Sequence, residues 1–186
     1  LHAIEETNGT KLKNVFQDIS FNTDKLGEEK QKNDILRHLL EDFGKPTLSL
    51  RPSRVGSLDV IGNAYEYLIK HFAAGSGKSA GEFYTPQQIS TILSEIVTLD
   101  SQDPTTGKKD KLNKVLDFAC GSGSLLLNVR KRIKDNGGII NKVYGQEKNI
   151  TTYNLARMNM LLHGMKDSEF EIFHGDTLLN QWNLLN

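Results

Sequence analysis

The stretch Asp117-Phe118-Ala119-Cys120-Gly121-Ser122-Gly123-Ser124 decides the fold. It closes a short apolar run, Lys114-Val115-Leu116-Asp117-Phe118, and opens a helical pattern from Ser124 to about Lys134. Glycines supply the tight backbone of such a turn and let a ligand approach the main chain. The N-terminus of the next helix offers unpaired N–H groups. The alternation continues outward. Residues 143–147 read as a second strand. Residues 150–163 read as a helix with Leu155, Met158, Leu161 and Leu162 on one side. Residues 170–173 read as a third strand, closed by His174-Gly175-Asp176. Strand, helix, strand, helix, strand at these lengths predicts a parallel sheet in an α/β fold. Ligands of such sheets bind at the carboxyl ends of the strands.

Upstream, the first 75 residues read as helices. Leu12, Val15, Phe16 and Ile19 follow the spacing of one apolar face, as do Ile35, Leu36, Leu39, Leu40 and Phe43. The second stripe ends at Gly44, with Pro46 beyond. Ile61, Ala64, Tyr65, Leu68, Ile69 and Phe72 form the clearest stripe. Gly75-Ser76-Gly77-Lys78-Ser79 reads as a flexible loop. Pro86 is expected at a first helical position, with Ile89, Ile92, Leu93, Ile96 and Val97 facing inward. The polar residues 100–113 read as a loop. The expected organisation is a helical segment over 1–75 and an α/β domain over 76–186.

The glycine turn does not fit a dinucleotide fingerprint, because Leu126 stands where the third glycine of G-x-G-x-x-G belongs. Residues 75–79 do not make a phosphate loop, since the first glycine and the preceding strand are missing. The acids are more informative. Asp117 ends the first strand, where it would repel a pyrophosphate and favour an amino group or a cation. Glu147 ends the second strand, placed to take two ribose hydroxyls. Asp176 follows the third and could accept from an adenine amino group. Three carboxylates after three successive strands describe a pocket for a cationic, ribose- and adenine-bearing ligand without phosphates. S-adenosylmethionine meets that description. Turn formation and helix capping are the structural alternatives for each acid taken singly.

Composition narrows the field. The 186 residues carry 23 basic and 23 acidic side chains, for a formal net charge of zero. Residues 1–80 hold 11 of each, and residues 81–186 hold 12 of each. Such a balance argues against autonomous nucleic-acid binding. One cysteine excludes an internal disulfide framework and a multi-cysteine zinc site, and points to a reducing compartment. Cys120 is expected to pack as a small residue. His2, His38, His71, His163 and His174 show no metal-ligand spacing, so no metal site is expected. Arg130, Lys131, Arg132 and Lys134 read as a solvated helix face.

At this point the motifs are recognisable. The stretch 117–124 resembles the D-P-A-C-G-S-G motif of amino-group DNA methyltransferases. Gly81-Glu82-Phe83-Tyr84-Thr85-Pro86 resembles their G-x-[FY]-[FY]-T-P motif, which closes over the methionine end of the cofactor. Tyr144-Gly145-Gln146-Glu147, with the segment from Asn154 to Met160, is similar to the ribose-binding region. His174-Gly175-Asp176-Thr177-Leu178 is similar to the adenine-binding region. With Tyr65-Glu66-Tyr67-Leu68-Ile69 and Leu161-Leu162-His163-Gly164, the set resembles the methylation subunit of type I restriction-modification systems, a family of N6-adenine DNA methyltransferases. The resemblance covers roughly residues 56–180.

It implies a Rossmann-like S-adenosylmethionine-dependent methyltransferase fold, here with an incomplete parallel sheet, preceded by the end of a helical N-terminal domain. It implies S-adenosylmethionine bound by Gly81, Glu82, Phe83, Tyr84, Thr85, Pro86, Asp117, Ala119, Gly121, Ser122, Gly123, Ser124, Glu147, Asp176 and Thr177. It implies a specificity subunit, a second methylation subunit and a restriction subunit as partners, double-stranded DNA reached through that complex, and a cytoplasmic location. Two departures stand out. Phe118 replaces the usual proline, and the catalytic [DN]-P-P-[FYW] motif is absent. Pro46, Pro52, Pro86 and Pro104 are the only prolines. The chain is therefore expected to be a truncated subunit that binds cofactor without orienting a target base, and no catalytic residue is assigned. A methyltransferase acting on RNA or a small molecule, and a non-catalytic docking module, are the alternative readings.

Overall fold

A computed structural model describes residues 1–8, 12–17, 19–49, 51–55, 58–75, 85–100 and 107–179. They form two compact units, Leu1–Ile61 and Gly62–Asn186.

The first unit holds helices α1 (His2–Asn8), α2 (Glu29–Phe43) and α3 (Pro52–Val55), and the start of α4 (Leu58–Gly75). Glu28 and Gln31 cap α2 reciprocally, which satisfies two otherwise unpaired N–H groups. The expected helix through Leu12 and Phe16 is not formed. Residues 12–17 make turns instead. Asn14 sits there at φ 59°, a left-handed conformation that a regular helix does not accommodate. The Phe16 N–H donates to the Glu5 carboxylate at 2.6 Å. Ile35, Leu39, Leu40 and Phe43 of α2 are exposed within this unit.

In the second unit, α5 (Gln87–Thr98) precedes β1 (Lys111–Asp117), α6 (Ser124–Asp135), β2 (Ile139–Glu147), α7 (Ile150–Leu162) and β3 (Phe170–His174). The sheet runs β1-β2-β3, all parallel. Asp117 pairs with Gly145, and Glu147 with His174. The predicted βαβαβ order is thus observed. Val143, Phe170 and Ile172 pack with Leu126, Leu127, Ala156, Met160 and Met165 in the core.

Helix α5 reverses its expected orientation. Ile89, Ile92, Leu93, Ile96 and Val97 are exposed, whereas Ser90, Ser94 and Thr98 are buried. Polar partners on α6 explain the reversal. Asn128 donates to the Ser90 hydroxyl at 2.6 Å. Arg132 donates to Thr98 Oγ1 at 3.2 Å and pairs with Glu95 at 3.0 Å. Small hydroxyl residues let the helix backbones approach, and each buried hydroxyl has a partner. Pro86 is the N-cap of α5, one residue before the expected position. Helix α7 also departs from the simple pattern. Its buried residues are Thr152, Asn154, Ala156, Asn159 and Met160, while Leu155, Met158, Leu161 and Leu162 are half-buried. The face of α7 that meets the glycine turn therefore carries amide groups.

Among the described residues no helix is long and apolar enough to cross a membrane.

Candidate functional site

The strand ends and the glycine turn build one site. Gly121 and Gly123 adopt φ 53° and 80°, which an L side chain enters only with strain. At Gly123 a Cβ would also strike the Met160 methyl. Gly145 on β2 allows the turn to lie against the sheet, because a Cβ there would sit 2.8 Å from both Cys120 Sγ and Ile172 Cδ1. The turn is pinned to β2 by the Cys120 N–H, which donates to the Gln146 carbonyl at 2.8 Å. It is pinned to α7 by Asn159, whose amide donates to the Ser122 carbonyl at 3.0 Å.

The three predicted carboxylates stand at the carboxyl edge, each held by main-chain donors. Asp117 Oδ1 accepts the Ala119 N–H at 3.1 Å. Glu147 accepts the Gly121 N–H at 3.2 Å on one oxygen and the Asn149 N–H at 2.7 Å on the other. Asp176 accepts the Leu178 N–H at 3.0 Å and pairs with Lys148 at 2.8 Å. Burial pushes the Asp117 carboxyl above its ordinary range; the Ala119 N–H opposes this and the nearby Glu147 charge adds to it. Asp176 moves the other way, because Lys148 and the Leu178 N–H favour its charged form.

These electrostatics discriminate among ligands. The N–H groups of Ala119, Cys120, Gly121 and Gly123 are already bonded within the protein. These four donors are thus closed to a phosphate, and Asp117 and Glu147 repel anions. A cation beside Asp117 would relieve its unfavourable environment. Both oxygens of Glu147 retain further lone pairs for hydroxyl donors. Cys120 is buried, and its thiol is pushed far up by burial and by the charges of Asp117 and Glu147. This fits its expected packing role, since the thiolate is the reactive form. Among the described residues no cluster suits a metal ion.

The remaining predicted residues divide. Ser122 and Ser124 are buried, with their hydroxyls 3.0 Å apart. Ala119 is exposed. Thr177 donates to the Phe118 carbonyl and lies 3.0 Å from Gln146 Oε1, so it ties the segment after β3 to the turn. Thr85 is half-buried and Pro86 exposed. Gly81, Glu82, Phe83 and Tyr84 lie outside the described residues.

Two supporting features escaped the sequence reading. One is Asn159, fully buried, whose Oδ1 has no partner among the described residues. The other is the docking of α4 on α7. The Tyr65 hydroxyl donates to the Leu155 carbonyl at 3.3 Å. His163 Nδ1 lies 3.0 Å from the Asn159 carbonyl. Gly62 leaves room for that ring, since a Cβ would come within 2.8 Å of His163 Nε2. Buried asparagines in a helix were the available signal, because an unpartnered amide is costly inside a protein.

Comparison with known proteins agrees with this geometry. The profile of the family described as N-6 DNA Methylase matches residues 56–184. The type I restriction enzyme MpnII methylase subunit of Mycoplasma pneumoniae is 42% identical over 90% of this chain and 29% of its own length. The HindI methylase subunit of Haemophilus influenzae is 34% identical over 94% of this chain and 37% of its own. The crystal structure of a type I restriction-modification methyltransferase subunit from Streptococcus thermophilus superposes with a TM-score of 0.74 at 33% identity, over 96% of this chain and 35% of that one. A class I S-adenosylmethionine-dependent methyltransferase from Listeria monocytogenes shares the fold, with a TM-score of 0.56 at 19% identity. The chain spans only about a third of the length of the first two relatives. The glycine turn, the parallel sheet and the family profile together place this chain in the N-6 DNA methylase family, beside the methylase subunits of type I restriction enzymes.

Proposed function

We propose that this chain is the S-adenosylmethionine-binding part of a site-specific DNA N6-adenine methyltransferase subunit of a type I restriction-modification system. The observation that carries the reading is the convergence of Asp117 and Glu147 on a glycine turn in which the N–H groups of Ala119, Cys120, Gly121 and Gly123 are already bonded within the protein. Such a site suits a cationic ligand with hydroxyls and rejects a phosphate.

In this reading Asp117 meets the positively charged methionine end, with Thr85 and Pro86 beside the residues that close over it. Glu147 accepts the ribose hydroxyls. Asp176 accepts from the adenine amino group, which competes with Lys148 for its oxygens. Ala119, Gly121, Ser122, Gly123 and Ser124 shape the wall against which the ligand lies. Thr177 positions Asp176 through the Phe118 carbonyl. When bound, the cofactor supplies an electrophilic methyl group on sulfur. The cofactor domain would begin near residue 76, with the helices of residues 1–75 belonging to a preceding domain. The sequence contains no adjacent prolines, hence no motif to hold a flipped adenine. Cofactor binding without methyl transfer is expected of this chain alone. Specificity, restriction and second methylation subunits would be its partners on duplex DNA, in the cytoplasm.

Calorimetric titration with S-adenosylmethionine tests the reading. Binding weakened about tenfold or more by Glu147→Ala and by Asp117→Ala is the expected result. Equal affinity in parent and variants overturns the site. Labelled methyl transfer to duplex DNA by the chain alone would overturn its assignment as non-catalytic.

A further inference from the structure

Behind the carboxylate edge, Gln146, Thr177 and Phe118 form a hydrogen-bonded cluster. Gln146 on β2 is fully buried, and its Nε2 has no partner among the described residues. Its Oε1 lies 3.0 Å from Thr177 Oγ1, and the Thr177 hydroxyl also donates to the Phe118 carbonyl. Thr177 cannot donate to both oxygens, because a hydroxyl carries one proton. Whichever oxygen receives that proton, the other faces the hydroxyl without one. Meanwhile an NH2 group with two donors stays unpaired in a dry interior. Turning the Gln146 amide over keeps its shape and removes the conflict. Nε2 then donates to Thr177 Oγ1, which donates in turn to the Phe118 carbonyl. The atom left unpaired becomes a carbonyl oxygen, which protein interiors tolerate better than an unpaired N–H.

We infer that Gln146 is a positioning residue for the cofactor, acting through Thr177. Each member of this relay adjoins one of the three edge carboxylates in sequence: Gln146 adjoins Glu147, Thr177 adjoins Asp176, and Phe118 adjoins Asp117. Successive side chains of a strand point to opposite faces, so Gln146 lies behind the edge that Glu147 presents. Main-chain bonds already join these ends in pairs. The Cys120 N–H donates to the Gln146 carbonyl at 2.8 Å, and the Gly175 N–H donates to the Glu147 carbonyl at 3.0 Å. Thr177 Oγ1 joins all three ends at one atom. The relay therefore sets the spacing of the carboxylates before a ligand arrives, which lowers the ordering cost of binding. The inference rests on the proposed S-adenosylmethionine site.

The test uses the whole chain. Nitrogen-15 NMR follows the assigned side-chain amide of Gln146. Thr177→Val removes its acceptor and should shift its protons, whereas Thr177→Ser should leave them near the parent position. An amide unmoved by Thr177→Val overturns the donor direction. Calorimetry with S-adenosylmethionine reads the positioning. Thr177→Val and Gln146→Met should each weaken binding about fivefold to tenfold, and the double variant should bind about as well as either single one. Thr177→Ser should restore the parent's affinity to within about twofold, which a loss of packing alone would not predict. Urea denaturation checks folding. Thr177 is half-buried, so its two variants decide the matter even where Gln146→Met does not fold. Parent-like affinity in Thr177→Val, no rescue by serine, or additive losses overturns the inference. Binding that falls in Glu147→Ala but not in Thr177→Val removes the positioning role and leaves the cofactor site standing. A parent that binds no S-adenosylmethionine overturns both.

Discussion

The side-chain amide of Asn159, in the middle of α7, donates to the carbonyl of Ser122 at 3.0 Å across the buried junction with the glycine turn. The bond joins residues 37 positions apart and fixes the turn to α7. Replacing Asn159 by leucine leaves the Ser122 carbonyl without its donor in a dry environment. A stability loss of about 1–3 kcal/mol is expected, read from urea denaturation. Cofactor affinity should fall with it, whereas a purely local packing defect would leave that affinity intact.

Gly123→Ala meets two obstacles, the left-handed backbone and the Met160 methyl. Thermal unfolding should shift down by an amount equivalent to about 1–2 kcal/mol from the backbone alone. Shortening Met160 to alanine in the same chain removes the steric part only. The double variant should therefore not recover the parent's cofactor binding.

Asp117 gives a pH signature. Its carboxyl is raised in the folded chain, chiefly by burial and further by Glu147. The folded state then holds that proton more tightly than the unfolded chain. The stability contribution falls as pH rises from the ordinary carboxylate value through the raised one, and at neutral pH the ionised group opposes folding. Asp117→Asn should accordingly stabilise the unliganded protein at neutral pH, with a smaller gain under acidic conditions, while weakening S-adenosylmethionine binding. Unfolding curves at several pH values, paired with calorimetry, check both halves.

The reversed helix α5 makes the opposite of the usual core prediction. Ile92→Lys should change stability by no more than about 0.5 kcal/mol, as for an exposed position. Ser94→Leu, which forces a large side chain into the contact with α6, should cost about 1–3 kcal/mol. Denaturation midpoints of the two variants decide which face is inside.

Cys120 should react slowly with a maleimide reagent in the folded chain and rapidly in urea, since burial and two neighbouring carboxylates suppress its thiolate. Fast labelling under native conditions would contradict the packing described here.

Residues with one strong local constraint were legible. The βαβαβ order followed from short apolar runs punctuated by glycine, and the three acids follow the strands as their positions in the chain implied. Helix α5 was misread because the apolar-inward rule assumes a core of hydrocarbon. Its inner face is instead matched to Asn128 and Arg132, which no periodicity within α5 could reveal. Asn14 broke the helix expected around Phe16 by a conformation that asparagine tolerates better than most residues. The role of Asn159 required knowing that Ser122 lies opposite it. Such long-range pairings are a property of the packed chain, not of any window of sequence.

The carboxylates of this edge are gripped by the main chain, through the amides of residues 119, 121, 149 and 178. Main-chain donors are indifferent to the side chain they carry. A position such as Leu178, exposed and outside the residues assigned to the ligand, is therefore free to drift in evolution without disturbing the charge pattern. The residue it excludes is proline, which has no amide hydrogen to give. A library at this position should thus accept nearly every amino acid but that one.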